Sequence, residues 1–187
     1  MEFKEIMLII LAGVLFNNFA LERFLGVTPL LGSRGGAGKA ARMGLAVTIV
    51  MLVTAALAWP LQTLVLDKLN LGYLQLLAFV AVVLAVVYLA ELIVNRAMHG
   101  SLGVYFPIIA LNSAVLGLAV DNAAEGYGFW ASMAAALGAG LGFMLALVLF
   151  SGVQSRIDEK YVPRAFRGLP VSLLAASIMS MVLVAFK

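Results

Sequence analysis

The feature that most constrains this chain is the recurrence, along its whole length, of apolar runs of roughly 18 residues or more. Runs of that length bury their backbone polar groups within a helix and suit a hydrocarbon surround. Of the 187 residues, 64% are hydrophobic and only 11% are charged. A water-soluble domain of this size needs more surface charge than that. The expected fold class is therefore an all-α integral membrane protein, one membrane domain over residues 1–187.

The start, Met1-Glu2-Phe3-Lys4-Glu5, is not the basic region of a signal peptide, and no small-residue cleavage site follows a short apolar core. The first apolar run is expected to remain as a helix. Cysteine is absent, which removes disulfides, thiolate metal ligands and reactive thiols. The net charge of +3 comes from basic residues in short loops, a pattern that reads as membrane orientation and not as nucleic-acid binding.

Hydropathy places six helices: roughly Ile6 to Leu25, Met43 to Leu66, Leu71 to Val94, Ser101 to Val120, Phe129 to Val153 and Leu169 to Phe186. Each is near the ~20 residues that cross ~30 Å of hydrocarbon. Loops after the odd helices carry Arg23, Arg34, Lys39, Arg42, Arg96, Arg156, Lys160, Arg164 and Arg167; the other side has Lys4, Lys68 and Lys187. Nine against three puts the odd loops in the cytoplasm and both termini outside, and eight against three does the same if Arg23 lies within the membrane. Trp59 and Trp130 fall at the outer interface in this arrangement.

Six helices divide into halves of about 1–97 and 98–187. Three is odd, so structural repeats on these halves are inverted ones. The polar interruptions match: Gly13, Asn17, Asn18 and the breaking stretch Gly26-Val27-Thr28-Pro29 in helix one, and Gly103, Pro107 and Asn112-Ser113 in helix four. Interrupted segments at corresponding places in two halves point to a functional midplane.

Asn17, Asn18 and Asn112 put amides into apolar helices, where they either bond between helices or shape an ion or cofactor site. Glu91, on an apolar stretch near the end of helix three, either reaches water or Arg96, or serves an ion path. Asp121 and Glu125 read as loop acids beyond helix four, with Asp121 near enough to an outer mouth to join such a path. The loop Gly32-Ser33-Arg34-Gly35-Gly36-Ala37-Gly38-Lys39-Ala40 fails the phosphate-loop pattern at Ser33 and at Ala40 and reads as a flexible basic loop. Gly138-Ala139-Gly140-Leu141-Gly142 forms a small-residue packing face, within the chain or against another protein of the same assembly. His99 has no second ligand nearby in sequence. The chain contains no complete catalytic signature.

Several of these segments are familiar together. Asn17-Asn18-Phe19-Ala20-Leu21, then Arg23-Phe24-Leu25-Gly26-Val27-Thr28-Pro29-Leu30-Leu31-Gly32, resembles the opening of the RnfA/NqrE family, membrane components of Rnf-type redox-driven ion pumps. Met43-Gly44-Leu45-Ala46, Asn112-Ser113-Ala114-Val115-Leu116-Gly117 and Val162-Pro163-Arg164-Ala165-Phe166-Arg167-Gly168 resemble it too. The resemblance extends over nearly the whole chain. It implies a six-helix, multi-pass subunit of the cytoplasmic (inner) membrane, with an inverted repeat and paired with an RnfE-like sister subunit of opposite topology. The family's complexes couple electron flow between ferredoxin and NAD, or from NADH to quinone, to Na+ or H+ translocation.

The resemblance also implies a [2Fe–2S] cluster between the sister subunits, held by two cysteines from each. The positions matching this chain's two are Thr28 and Ser113. Hydroxyls do not replace thiolates readily, so the cluster is not expected to be bound here in the usual way. Thr28, Ser113, Asn17, Asn18 and Asn112 are the expected pseudo-symmetric centre; Glu91 and Asp121 are the ion-path candidates. The expected function is a membrane subunit of an Rnf-like electron-transport complex, with no catalytic site of its own. A small-solute transporter component and a purely structural scaffold are the rivals.

Overall fold

The computed structural model describes residues 3–15, 18–26, 36–97, 112–158 and 160–184. Among these residues all regular structure is helical, and no strand occurs. Helix α1 is Phe3–Leu15, and α2 is Ala37–Pro60, continued by a π-helical turn over Leu61–Leu66. A 3-10 turn, Gly72–Leu74, leads into α3, Gln75–Ala97. Then come α4, Ser113–Ala124; α5, Phe129–Arg156; a 3-10 turn, Arg164–Phe166; and α6, Leu169–Val184.

Three of these helical paths are long and apolar enough to cross a membrane: Ala37–Leu66, Gly72–Leu92 and Phe129–Arg156. At ~1.5 Å per residue, α5 is about 42 Å long, more than the hydrocarbon core alone. Ser113–Ala124 and Leu169–Val182 are shorter apolar helices.

The centre is an antiparallel pair, α2 against α5. Gly44 lies opposite Met144, Thr48 opposite Gly140, and Trp59 packs edge-on against Phe129 with ring centroids 5.6 Å apart. Small residues bring the two backbones together: a Cβ on Gly140 would fall 2.5 Å from Thr48 Cγ2. Helix α1 runs parallel to α5 on another face. A Cβ on Gly138 would lie 2.7 Å from Ile10 O, and one on Gly142 would lie 2.6 Å from Gly13 O. The Gly138–Gly142 face is thus consumed inside the chain, and Gly13 belongs to that seam rather than to the break. Phe143, Leu147 and Phe150 of α5 are fully buried, with Val47 and Met51 of α2. Leu45, Ile49, Val53 and Leu57 of α2, and Leu137, Leu141, Leu145 and Leu149 of α5, stand exposed at four-residue spacing. Two such stripes suit hydrocarbon or a neighbouring helix and not water.

Three boundaries depart from the sequence expectation. Helix one stops at Leu15 and not near Leu25; residues 18–26 form a run of turns, because the Asn18 side chain takes up backbone amides that a helix would use. Helix two starts at Ala37, so Ala37 to Ala40 of the expected basic loop are helical. Gly36, at φ 89, marks the boundary. Helix four ends at Ala124, which places Asp121 within it rather than in a loop. Its expected earlier part, 101–111, and His99 lie outside the described residues. The other helices begin and end within a few residues of expectation.

Candidate functional site at the helix breaks

The turns after α1 fold back against α5 and α4. Asn18, buried, donates from Nδ2 to Gly142 O at 2.8 Å, while its Oδ1 accepts from Ala20 N at 3.0 Å and Leu21 N at 3.3 Å. Such an amide both starts a turn and ties it to a neighbouring helix. Glu22 N then bonds Asn18 O, and Leu25 N bonds Phe19 O. The backbone reaches left-handed conformations at Phe24, φ 53, and Gly26, φ 73.

Gly26 is the meeting point. Its N–H donates to Ser113 Oγ at 2.9 Å. A Cβ there would fall 2.5 Å from Asn112 Oδ1 and 2.6 Å from Phe143 Cε2, so both its φ and its surroundings demand glycine. Asn112 caps α4, its Oδ1 accepting from Ala114 N at 3.0 Å. Asn112 Nδ2 is buried and has no hydrogen-bond partner among the described residues. Phe143 lies about halfway along α5, roughly 21 Å from its start. The two interrupted segments therefore meet at mid-height of the longest helix.

From there residues 18–26 climb along α4. Leu25 lies against Gly117, and Arg23 forms an ion pair with Asp121 while its guanidinium sits 5.3 Å from the centre of the Phe19 ring. The charge count by loops leaves Arg23 either in the loop after helix one or within the membrane, and puts Asp121 beyond helix four. Their pairing brings the two together: because helix one ends early, Arg23 lies back along α4. The two side chains keep 47% and 35% of their surface in the isolated chain.

Among the expected site residues, Asn18, Asn112 and Ser113 come together. Asn17 and Thr28 lie outside the described residues. Glu91 sits apart on α3, partly buried, and makes no ion pair among the described residues. Sequence reasoning misses the Arg23–Asp121 pair; the signal available is an acid three residues before Ala124 on an apolar helix, which demands a partner.

Compared with known proteins, residues 6–187 match the family model described as "Rnf-Nqr subunit, membrane protein". The chain belongs to the Rnf-Nqr membrane-subunit family. Among its Rnf-Nqr relatives is the A-type subunit of the ion-translocating oxidoreductase complex of Syntrophotalea carbinolica, 44% identical over 98% of this chain and 96% of the relative. The A-type subunit of the Na(+)-translocating ferredoxin:NAD(+) oxidoreductase complex of Acetobacterium woodii is 41% identical over 95% of this chain and 94% of the relative. The corresponding protein of the ion-translocating oxidoreductase complex of Aromatoleum aromaticum is 38% identical over 95% and 93%.

The residues of this Rnf-Nqr chain do not fit a thiolate-held iron–sulfur cluster. No cysteine exists in the sequence. Ser113 Oγ already accepts the Gly26 amide, and an aliphatic hydroxyl is not readily deprotonated to a ligand comparable with a thiolate. Among the described residues no group of three or more His, Asp or Glu gathers.

Proposed function

We propose that this chain is the RnfA-type subunit of an Rnf-like membrane complex that couples electron transfer, between ferredoxin and NAD or toward a quinone, to Na+ or H+ translocation. The similarity over nearly full length to proteins named for the same place in such complexes carries this reading. In it the chain crosses the cytoplasmic membrane six times as two inverted three-helix halves, 1–97 and 98–187, with both termini outside. The parallel α1–α5 seam and the antiparallel α2–α5 pair support that arrangement, since an inverted repeat relates its second and fifth helices in opposite directions. An RnfE-like sister subunit of opposite topology covers the face bearing Ser113 and the half-exposed Arg23–Asp121 pair.

Asn17, Asn18, Thr28, Asn112 and Ser113 form the pseudo-symmetric centre of the chain, and Glu91 with Asp121 are its ion-path acids. Ser113 acts there as a latch on the Gly26 amide rather than as a metal ligand, and the family's [2Fe–2S] cluster is not held by this chain in the usual way. Flavin, ferredoxin and NAD sites belong to other subunits. Tagging this chain and purifying it from mild detergent tests the reading. Flavoprotein and iron–sulfur subunits are expected to co-purify, with ferredoxin:NAD activity that drives ion uptake in vesicles. Recovery of the tagged chain alone, together with ion uptake that survives in a deletion strain, overturns it.

A further inference from the structure

At the Trp59–Phe129 end of the bundle, Pro60 interrupts an otherwise continuous helical path. Without an N–H it cannot bond the carbonyl of Ala56, and the next turn widens to π geometry, a form frequent at functional sites. Asp67 N bonds back five residues to Gln62 O at 2.9 Å, and the same spacing stacks the side chains: Gln62 Nε2 donates to Asp67 Oδ1 at 2.7 Å. These residues wall a cavity of about 230 Å3 whose other sides come from α3, α4 and the α4–α5 turn.

Donor and acceptor accounting gives the cavity its character. A carboxylate only accepts, so the bond to Asp67 fixes the Gln62 amide with its carbonyl oxygen pointing away. That oxygen, Gln62 Oε1, is buried at the cavity wall with no partner among the described residues. Thr63 Oγ1 donates to Trp59 O at 3.0 Å, which leaves its lone pairs. Asn122, buried, donates from Nδ2 to Ser132 O at 3.4 Å, which turns its own carbonyl oxygen the other way. Trp59 Nε1 donates to Tyr127 O at 3.1 Å. Each of these four side chains thus donates to the protein, while oxygens of Gln62, Thr63 and Asn122 keep lone pairs. Among the described residues no Lys or Arg lines the cavity, so the carboxylate of Asp67, itself an exposed residue, is the one formal charge in its wall.

We propose that this cavity binds a small monovalent cation, sodium with part of its hydration shell, between the Asp67 carboxylate and the carbonyl and hydroxyl oxygens of Gln62, Thr63 and Asn122. Hard cations take oxygen ligands; one carboxylate among neutral oxygens matches a single positive charge, where divalent sites gather more. The volume exceeds what a lone dehydrated ion needs and admits water beside it. As a binding site this stands on the cavity's own residues. Its use as a waiting position for the translocated ion rests on the proposed function.

The test is calorimetric titration of sodium into the purified intact complex, held in choline chloride at constant ionic strength. Asp67→Asn is expected to remove one class of sodium sites, and Gln62→Leu to weaken it by about ten-fold or more. Gln62→Glu sets two carboxylates together, so that variant is expected to melt lower in choline and recover in sodium. Sodium binding unchanged in all three variants overturns the site, as does a Gln62→Glu complex equally stable in both salts. A complex that binds sodium here but moves no ions sustains the site and overturns the proposed function. A pumping complex with unaltered sodium binding in every variant does the reverse.

Discussion

The junction of the two breaks and the cavity beside Pro60 are both polar places in an apolar bundle, and their accounts close differently. At the junction, Asn18 uses its amide on three partners, Asn112 caps α4, and Ser113 holds Gly26. Among the described residues Asn112 Nδ2 remains there as a buried donor without a partner. At the cavity the donors are used and acceptors remain, with a negative charge among them. A polar residue in a membrane helix is thus not a site by its presence. What decides is which of its atoms the fold has left unbonded, and of which kind.

The largest effect that would test this contrast is at Gly26. Gly26→Ala must place a Cβ into Asn112 and Phe143 at a left-handed φ, and is expected to destabilise by about 3 kcal/mol or more. Loss of the monodisperse peak in size-exclusion chromatography reads it, and a well-folded Gly26→Ala protein would show the junction to be loose. Next comes Arg23→Gln, which leaves Asp121 without its partner. Given the partial exposure of both groups, a loss of about 1 kcal/mol is expected, regained in the exchanged pair Arg23→Asp with Asp121→Arg. Melting in detergent of the singles and the exchange checks it; an exchange no better than either single would break the pairing.

Ser113→Ala should cost about 1 kcal/mol through the lost Gly26 bond while ion uptake coupled to electron transfer continues. Uptake abolished in a folded Ser113→Ala complex would assign the hydroxyl more than a latch. The smallest effect on stability is expected at the cavity. Gln62→Leu removes an unbonded buried acceptor together with its exposed partner bond, and should shift stability by less than about 0.5 kcal/mol. If it destabilised the protein as Gly26→Ala does, the distinction between the two regions would fall.

Much of this is legible in the residues. The apolar runs give α5 its start at Phe129 and α6 its start at Leu169, and the paired interruptions lead to Asn18, Asn112 and Ser113. Hydropathy cannot see that helix one ends at Leu15, because Phe19, Leu21, Phe24 and Leu25 are as apolar as a helix would be. The ending comes from an Asn18 side chain competing for backbone amides and from positive φ at Phe24 and Gly26. For the same reason a loop count does not bring Arg23 to Asp121. Gly36 disguises the start of α2, since a glycine-rich stretch continues into the helix through Ala37 and Gly38. The cavity has only a faint signal, Pro60 inside a helical run with Gln62 just beyond; its meaning depends on Asn122, sixty residues later in the chain, coming to the same wall.

The bond from Asn18 to Gly142 spans 124 residues. At a synthesis rate of about 5–20 residues per second, roughly 6 to 25 seconds separate the making of its two partners. During that interval the glycine seam of α1 has no α5 to receive it, and Arg23 waits for Asp121. The first half of the chain is thus born unfinished, and its break is closed only as the second half arrives. Interruption of synthesis anywhere between the halves leaves a charged, unsatisfied segment in the membrane, the kind of fragment that quality-control proteases remove.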